Sequence, residues 1–227
     1  MCRSTIAESE LVPWGSNYTF AVLLTDPHDD HPDTLAIYKP MAGEIPLWDF
    51  PHQTLYKREY AAYLVSQALG WNFIPATVIR EGPHGIGSVQ LYVEPEPNAH
   101  YFSFRDDHHD ELKRIALFDL VTNNADRKAG HCLRGKRDGK IWGIDHGLTF
   151  NEDPKLRTVI WEFQAQPVDE TLLQDLALLL EDDALTKQLT DYLAEREVAA
   201  FHRRLRRLIS EGCFPSLQSR RDIPWGW

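Results

Sequence analysis

The 227-residue chain carries 24 Lys and Arg against 34 Asp and Glu, a formal charge of −10, and 43% of its residues are hydrophobic. That hydrophobic share supports a buried core and excludes a disordered chain. The negative balance argues against a protein whose main task is non-specific binding to nucleic acid or to an anionic membrane, where positive charge supplies the attraction.

The N-terminal stretch MCRSTIAESELVPWG has acidic residues where a secretion signal needs an apolar run. Nowhere does an apolar segment approach the roughly 20 residues of a membrane-spanning helix. Cys2, Cys132 and Cys213 are unevenly spaced and make neither a disulfide framework nor a zinc pattern. A soluble, reduced, cytoplasmic protein is expected.

In chain order, the first half reads as short strands and turns. Tyr18–Thr25 is a strand candidate, followed by the polar loop Asp26–Asp33. Thr34–Lys39 is a second strand, stopped by Pro40. Its alternation sets Leu35, Ile37 and Lys39 on one face and Ala36 and Tyr38 on the other, so a lysine ends an apolar face. His52–Leu69 has helical character, with Gly70 suited to a left-handed cap. Leu55, Glu59, Ala62, Tyr63 and Ser66 share one stripe of it, which sets Glu59 among apolar neighbours. Ala76–Arg80 and Ser88–Glu94 read as strands joined by the turn Gly82–Gly87. Pro95 and Pro97 then break any element, and the boundary between a strand-rich lobe (1–95) and a helical lobe (96–227) is expected there.

In the second half, Asp110 is expected to cap a helix over Glu111–Val121. A hairpin follows, with arms His131–Arg134 and Lys140–Asp145 around Asp138-Gly139. Two last helices are expected near Glu170–Glu181 and Leu185–Glu211, the second ending at Gly212.

Two constellations can carry chemistry. A lysine on the inward face of a strand and a glutamate on the inward face of the next helix would each be costly alone. Paired, Lys39 and Glu59 would hold an ammonium ready for a phosphate; unpaired, they are a solvated lysine and a rim glutamate. Asp126 and Asp145 flank the short hairpin, so one carboxylate can orient an attacking hydroxyl while the other holds a divalent metal. Taken alone, they read more readily as a turn cap and a strand end beside Gly147.

Three other patterns carry less. Gly130–Lys136 fits G-x-x-x-x-G-K, but Arg137 replaces the metal-binding Ser/Thr and a hairpin is expected where a helix should begin. The loops around His28–His31 and His108–Asp110 lack the helical H-x-x-x-H spacing of a metal site. Arg203, Arg204, Arg206 and Arg207 crowd the last helix, either to meet a phosphate-bearing partner or as its wet face near the C-terminus.

The order of parts matches a protein-kinase-like fold: strand lysine, helix glutamate, hairpin, long helix, aspartate loop, strand ending in Asp, then helices. The sequence resembles the bacterial phosphatidylinositol 3-/4-kinase-related family. The resemblance is carried by WGSNYTF at 14–20, YKPMAGEIPLWDFP at 38–51, KREYAAYLVSQALGW at 57–71, NNADRKAGH at 123–131, and WGIDHGLTF with LRTVIWEF at 142–163. It implies an α+β, two-lobed kinase-like fold, with a small antiparallel sheet and one helix ahead of a mainly helical lobe.

It also implies roles. Gly15, Ser16 and Asn17 would form the turn over the phosphates of ATP. Lys39 would bind phosphate and pair with Glu59. Gln90–Glu94 would be the hinge, with the backbone of Tyr92 and Val93 as donor and acceptor for the base. Asp126 would be the catalytic aspartate and Asp145 the main ligand of Mg²⁺ or Mn²⁺. His131 stands where kinases place an asparagine as second metal ligand, and His146-Gly147 replaces the usual Phe-Gly after the metal-binding aspartate.

The resulting expectation is an ATP-dependent phosphotransferase acting on an unidentified hydroxyl acceptor. A nucleotide-binding pseudokinase scaffold and an AMP-transferring enzyme are the alternatives. A hydrolase built from the histidine loops is a weaker fourth.

Overall fold

The computed structural model describes residues 1, 4–13, 17–25 and 33–225. Five antiparallel strands form one sheet: β1 (Thr5–Leu11), β2 (Phe20–Thr25), β3 (Thr34–Pro40), β4 (Thr77–Gly82) and β5 (Gly85–Leu91), in the order β1-β2-β3-β5-β4. Helix α1 (Leu55–Ala68) lies between β3 and β4 in sequence and ends with Gly70 at φ +66°. Behind the sheet come α2 (Tyr101–Phe104), α3 (His109–Thr122), the two-stranded ribbon β6 (Cys132–Arg134) and β7 (Ile141–Gly143), α4 (Glu170–Leu180), α5 (Asp183–Leu189) and α6 (Glu195–Glu211). The fold is α+β, with a small sheet and a larger helical part.

Strand alternation decides what the sheet offers to each side. Ala36 and Tyr38 of β3 are fully buried and pack with Val22, Leu24 and Val89 in the sheet's own core. The opposite face, Ile37 and Lys39, looks into a cleft. The apolar face that the lysine was expected to end is therefore the cleft wall, and the shorter Ala36–Tyr38 pair makes the core. Residues paired across strands share a face, so Gln90, opposite Ile37, lines the cleft too. At Gly87 a Cβ would lie 2.4 Å from the Lys39 carbonyl oxygen. Only glycine permits β5 to approach the end of β3 this closely.

The main core gathers Ala61 and Val65 of α1 and Leu69 just after it with α3, the ribbon and the last three helices. Residues 94–96 are tied to the ribbon: Lys136 N–H donates to the Glu94 carbonyl (2.9 Å) and Glu96 N–H to the Arg134 carbonyl (2.8 Å).

Four local expectations are corrected. β1 was not expected; TIAESEL is a mostly exposed edge strand whose acids keep it from pairing further. The β4–β5 turn is tighter than Gly82–Gly87 and leaves only Pro83 and His84 outside the strands. Asp110 is not the cap of α3: His108 precedes the helix, and Asp110 and Glu111 sit in its first turn, where the helix dipole favours negative charge. The single helix expected over Leu185–Glu211 is two. Glu197 turns back so that its Oε2 accepts from Ala194 N–H (3.0 Å), while Oε1 receives Arg58 Nη2 (2.5 Å), and this starts α6 afresh. Among the described residues, no helix is long and apolar enough to cross a membrane.

Candidate active site

A cleft of about 300 Å³ lies beneath the β3–β5 face and is lined by Lys39, Glu59, Asp126 and Asp145 together with Asn17, Gln90, Tyr92 and Val93. β3 delivers Lys39, α1 delivers Glu59, and the segment after β7 delivers Asp145 with φ +61°. Aspartate is among the few side-chain-bearing residues that tolerate this left-handed backbone.

Lys39 sits between two carboxylates. Its Nζ donates to Glu59 Oε1 and, at 2.9 Å, to Asp145 Oδ1. Glu59 is buried, and its second oxygen accepts the His146 backbone N–H at 2.9 Å. Burial opposes the Lys39 charge, but Asp145 and Glu59 outweigh it and hold the ammonium protonated. Reciprocally, the Lys39 charge, against burial, keeps Asp145 ionised far below the usual carboxylate range.

His131 Nε2 lies 3.3 Å from Asp145 Oδ2, and its Nδ1 accepts the Lys128 backbone N–H at 3.4 Å. The ring proton therefore belongs on Nε2, facing Asp145. Burial lowers the pKa of His131, Asp145 acting in the other direction, so the ring is neutral near pH 7. Asp126 is half-buried; its Oδ2 lies 2.8 Å from Lys128 Nζ and its backbone N–H donates to Asn124 Oδ1 at 3.0 Å.

The structure thus brings Lys39, Glu59 and Asp145 into one hydrogen-bonded chain, sets the His131 ring beside Asp145, and places Asp126, Gln90, Tyr92, Val93 and Asn17 on the same cleft. Asn17 Oδ1 accepts Ile45 N–H at 2.8 Å. Gly15 and Ser16 lie outside the described residues. One hinge expectation is amended. The Tyr92 N–H already donates to the Leu35 carbonyl at 3.0 Å, so it is not the donor for a base. The Gln90 side chain is likewise engaged with Thr77 Oγ1 at 2.8 Å.

Sequence reasoning passed over the residues that hold this arrangement. Arg127 and Asp119 are fully buried and paired, with Arg127 Nε 2.9 Å from Asp119 Oδ2. Arg127 also donates to the carbonyls of His131 (3.2 Å) and Ile144 (2.9 Å) and to His146 Nε2 (2.7 Å). Burial and the Arg127 charge push the His146 pKa well down, leaving a neutral ring that accepts from the guanidinium. Glu44 Oε1 caps α1 by accepting Tyr56 N–H at 2.9 Å. In the G-x-x-x-x-G-K stretch a 3-10 turn leads into β6, and Lys136 pairs with Glu94. Burial raises the Cys132 thiol to about 12, so it is inert near neutral pH.

A five-stranded antiparallel sheet carrying a strand lysine, a helix glutamate paired to it, and a helical part bearing the two aspartates define a kinase-like fold. The chain belongs to the phosphatidylinositol 3- and 4-kinase family, whose model matches residues 52–208. Protein Rv2133c of Mycobacterium tuberculosis is 41% identical over 228 residues, covering 83% of this chain and 81% of the relative. Phosphatidylinositol 4-kinase gamma 4 of Oryza sativa subsp. japonica is 28% identical over 127 residues, 48% of this chain and 22% of that protein. Among solved structures, the Golgi casein kinase superposes with a TM-score of 0.59 at 16% identity, covering 92% of this chain and 71% of that one. Its structure with Mn/ADP bound gives 0.56 at 15% identity, covering 92% and 73%. At these identities the likeness is one of fold.

Proposed function

We propose that the protein is an ATP-dependent phosphotransferase that passes the terminal phosphate of the nucleotide to a hydroxyl acceptor. The observation that carries this reading is the ammonium of Lys39 locked between Glu59 and Asp145 on the wall of a cleft that Asp126 also lines. An ammonium fixed between carboxylates is oriented before any phosphate arrives, and catalysis of this reaction is mostly positioning and charge stabilisation.

In this reading, residues 1–95 supply the phosphate turn (Gly15, Ser16, Asn17), Lys39, Glu59 and the hinge, and residues 96–227 supply Asp126, His131 and Asp145. With the Tyr92 amide engaged, the Val93 backbone serves as donor to the base. The acceptor oxygen attacks the terminal phosphorus, the bond to the departing ADP oxygen breaks, and Asp126 takes the hydroxyl proton. Lys128 holds one Asp126 oxygen and turns the other toward the acceptor.

Asp145 and His131 offer one carboxylate and one imidazole. That donor set fits Mn²⁺ at least as well as Mg²⁺, which prefers all-oxygen coordination. Such an ion would neutralise phosphate charge. The Mn/ADP complex of a kinase with the same fold supports this pairing of nucleotide and metal. A reducing cytoplasm suits the unpaired Cys132 and Cys213.

The test uses ATP labelled on the terminal phosphate and, separately, on the base. Label should leave only from the terminal phosphate. Asp126→Asn should keep nucleotide binding and slow transfer by about 10²-fold or more, the scale of a lost proton acceptor. Transfer from base-labelled ATP would assign nucleotidyl transfer instead, and equal turnover by both proteins would refute the role of Asp126.

A further inference from the structure

A second concavity, of about 830 Å³, lies between α6, the segment 152–161 and the C-terminal stretch around Arg221, and shares no lining residue with the cleft. In a chain of charge −10 it gathers six basic side chains, Lys155, Arg157, Arg203, Arg204, Arg207 and Arg221, against three acidic ones, Glu152, Glu211 and Asp222. Lys155 pairs with Asp49 (3.1 Å) and Arg207 with Glu211 (2.7 Å). The other four arginines have no carboxylate partner among the described residues.

Two buried donors in this wall are also unsatisfied. Arg204 is anchored by Nε on the Val121 carbonyl (2.8 Å) and Nη1 on the Asn151 carbonyl (3.1 Å), yet its buried Nη2 has no partner. Trp161 Nε1 is likewise buried and unpartnered. Native proteins seldom leave such groups unmatched without a ligand or water to receive them. The α6 arginines noted in the sequence therefore divide: Arg206 is exposed and lies outside the groove, whereas Arg204 is held in its wall.

We propose that this groove binds a small soluble anion bearing more than one phosphate group. Guanidinium forks match phosphate oxygens, and six cations brought together from three chain segments, four of them without a carboxylate partner, carry more charge than a single phosphate would neutralise. The chain's overall negative charge disfavours a long polyanion or an anionic bilayer and leaves a compact ligand. Burial and the neighbouring Arg203 lower the Arg204 guanidinium to about 10, with Glu197 opposing only in part. The site is independent of the nucleotide reading but adjoins the same loop: Arg157 N–H donates to the Asn124 carbonyl and Arg127 N–H to the Arg157 carbonyl, both at 2.9 Å.

The test is calorimetric titration of the full chain with sodium tripolyphosphate, free of divalent metal and at low salt. One saturable site is expected. Arg203→Glu and Arg221→Glu, both at exposed positions, should each weaken it at least tenfold. Trp161→Phe, which removes the indole N–H donor along with one ring of the side chain, should weaken it several-fold. Arg206→Glu, with the same charge change outside the groove, should leave it within twofold, and so should Lys39→Met in the cleft. The proposal is overturned if no saturable binding occurs or if Lys39→Met abolishes it. Equal weakening by Arg206→Glu would also overturn it, as diffuse attraction. Co-sedimentation with phosphatidylserine vesicles without tripolyphosphate binding would assign the patch to a membrane and overturn it as well.

Discussion

Arg127 places all five of its N–H donors inside the protein, on Asp119, two carbonyls and His146. It thereby fixes the backbone just before Asp145 relative to α3 and to its own neighbour Asp126. Arg127→Met would strand Asp119 as a buried charge, and breaking such a pair costs about 3–5 kcal/mol. The urea midpoint should fall accordingly at unchanged slope, with Arg127→Lys recovering only part because an ammonium cannot reproduce the fork. A loss below about 1 kcal/mol would contradict the organising role. His131 makes a different prediction. Its Nε2 proton faces Asp145, so ligation through Nε2 requires that proton to leave or shift. If His131 ligates, turnover should favour Mn²⁺, and His131→Asn should move the preference toward Mg²⁺. An unchanged Mn²⁺/Mg²⁺ ratio at fixed ATP would remove His131 from the ligand set. Asp126 and Asp145 stood out in the sequence because they flank one hairpin, and His131 only through the family resemblance, which sets it where kinases place a metal-binding asparagine. Arg127 lay in the same motif unread, since two of its acceptors are backbone carbonyls and its side-chain partners sit 8 and 19 residues away.

Among the elements, α1 ties the parts together. Adjacent residues on it point to different partners: Arg58 to Glu197 of α6 and the Thr149 carbonyl (2.6 Å), Glu59 to Lys39 of β3 and the His146 amide. Sequence periodicity found this helix and set Glu59 among apolar residues. It could not find the Arg58 pair, because a buried arginine looks like a surface one until its partner 139 residues later is known. That pair also explains why α5 and α6 are separate helices. Glu59→Gln keeps an oxygen for the His146 amide but removes the charge that holds Lys39. The nucleotide-induced rise in Tm should shrink while the unliganded protein remains folded, as read by far-UV circular dichroism. An undiminished rise would show that Asp145 alone suffices to position the lysine.

For the whole molecule, strand alternation made the sheet legible, and only the solvent-facing β1 escaped because its acidic pattern carries no buried face. Which side of β3 is core was not legible in the sequence for a physical reason: in a sheet with a ligand-sized cleft on one face, both faces are apolar in sequence. The cleft's anatomy sets the final prediction. Lys39 neutralises part of a site that also holds Glu59, Asp126 and Asp145, so phosphate is favoured there only where the lysine and a further cation counter the carboxylates. ATP with a divalent ion at a hundred times its Kd should stabilise the native state by about 2.7 kcal/mol. For a chain of this size that corresponds to a rise in Tm of about 5–10 °C. Lys39→Met removes the one cleft cation that bridges two carboxylates. It should lower the unliganded Tm as well as the nucleotide-induced rise, so the rise and not the absolute Tm is the quantity to compare. Asp145→Asn should leave a nucleotide response that no longer depends on the divalent ion. A rise that is equal in wild type and both variants would place the nucleotide outside this cleft.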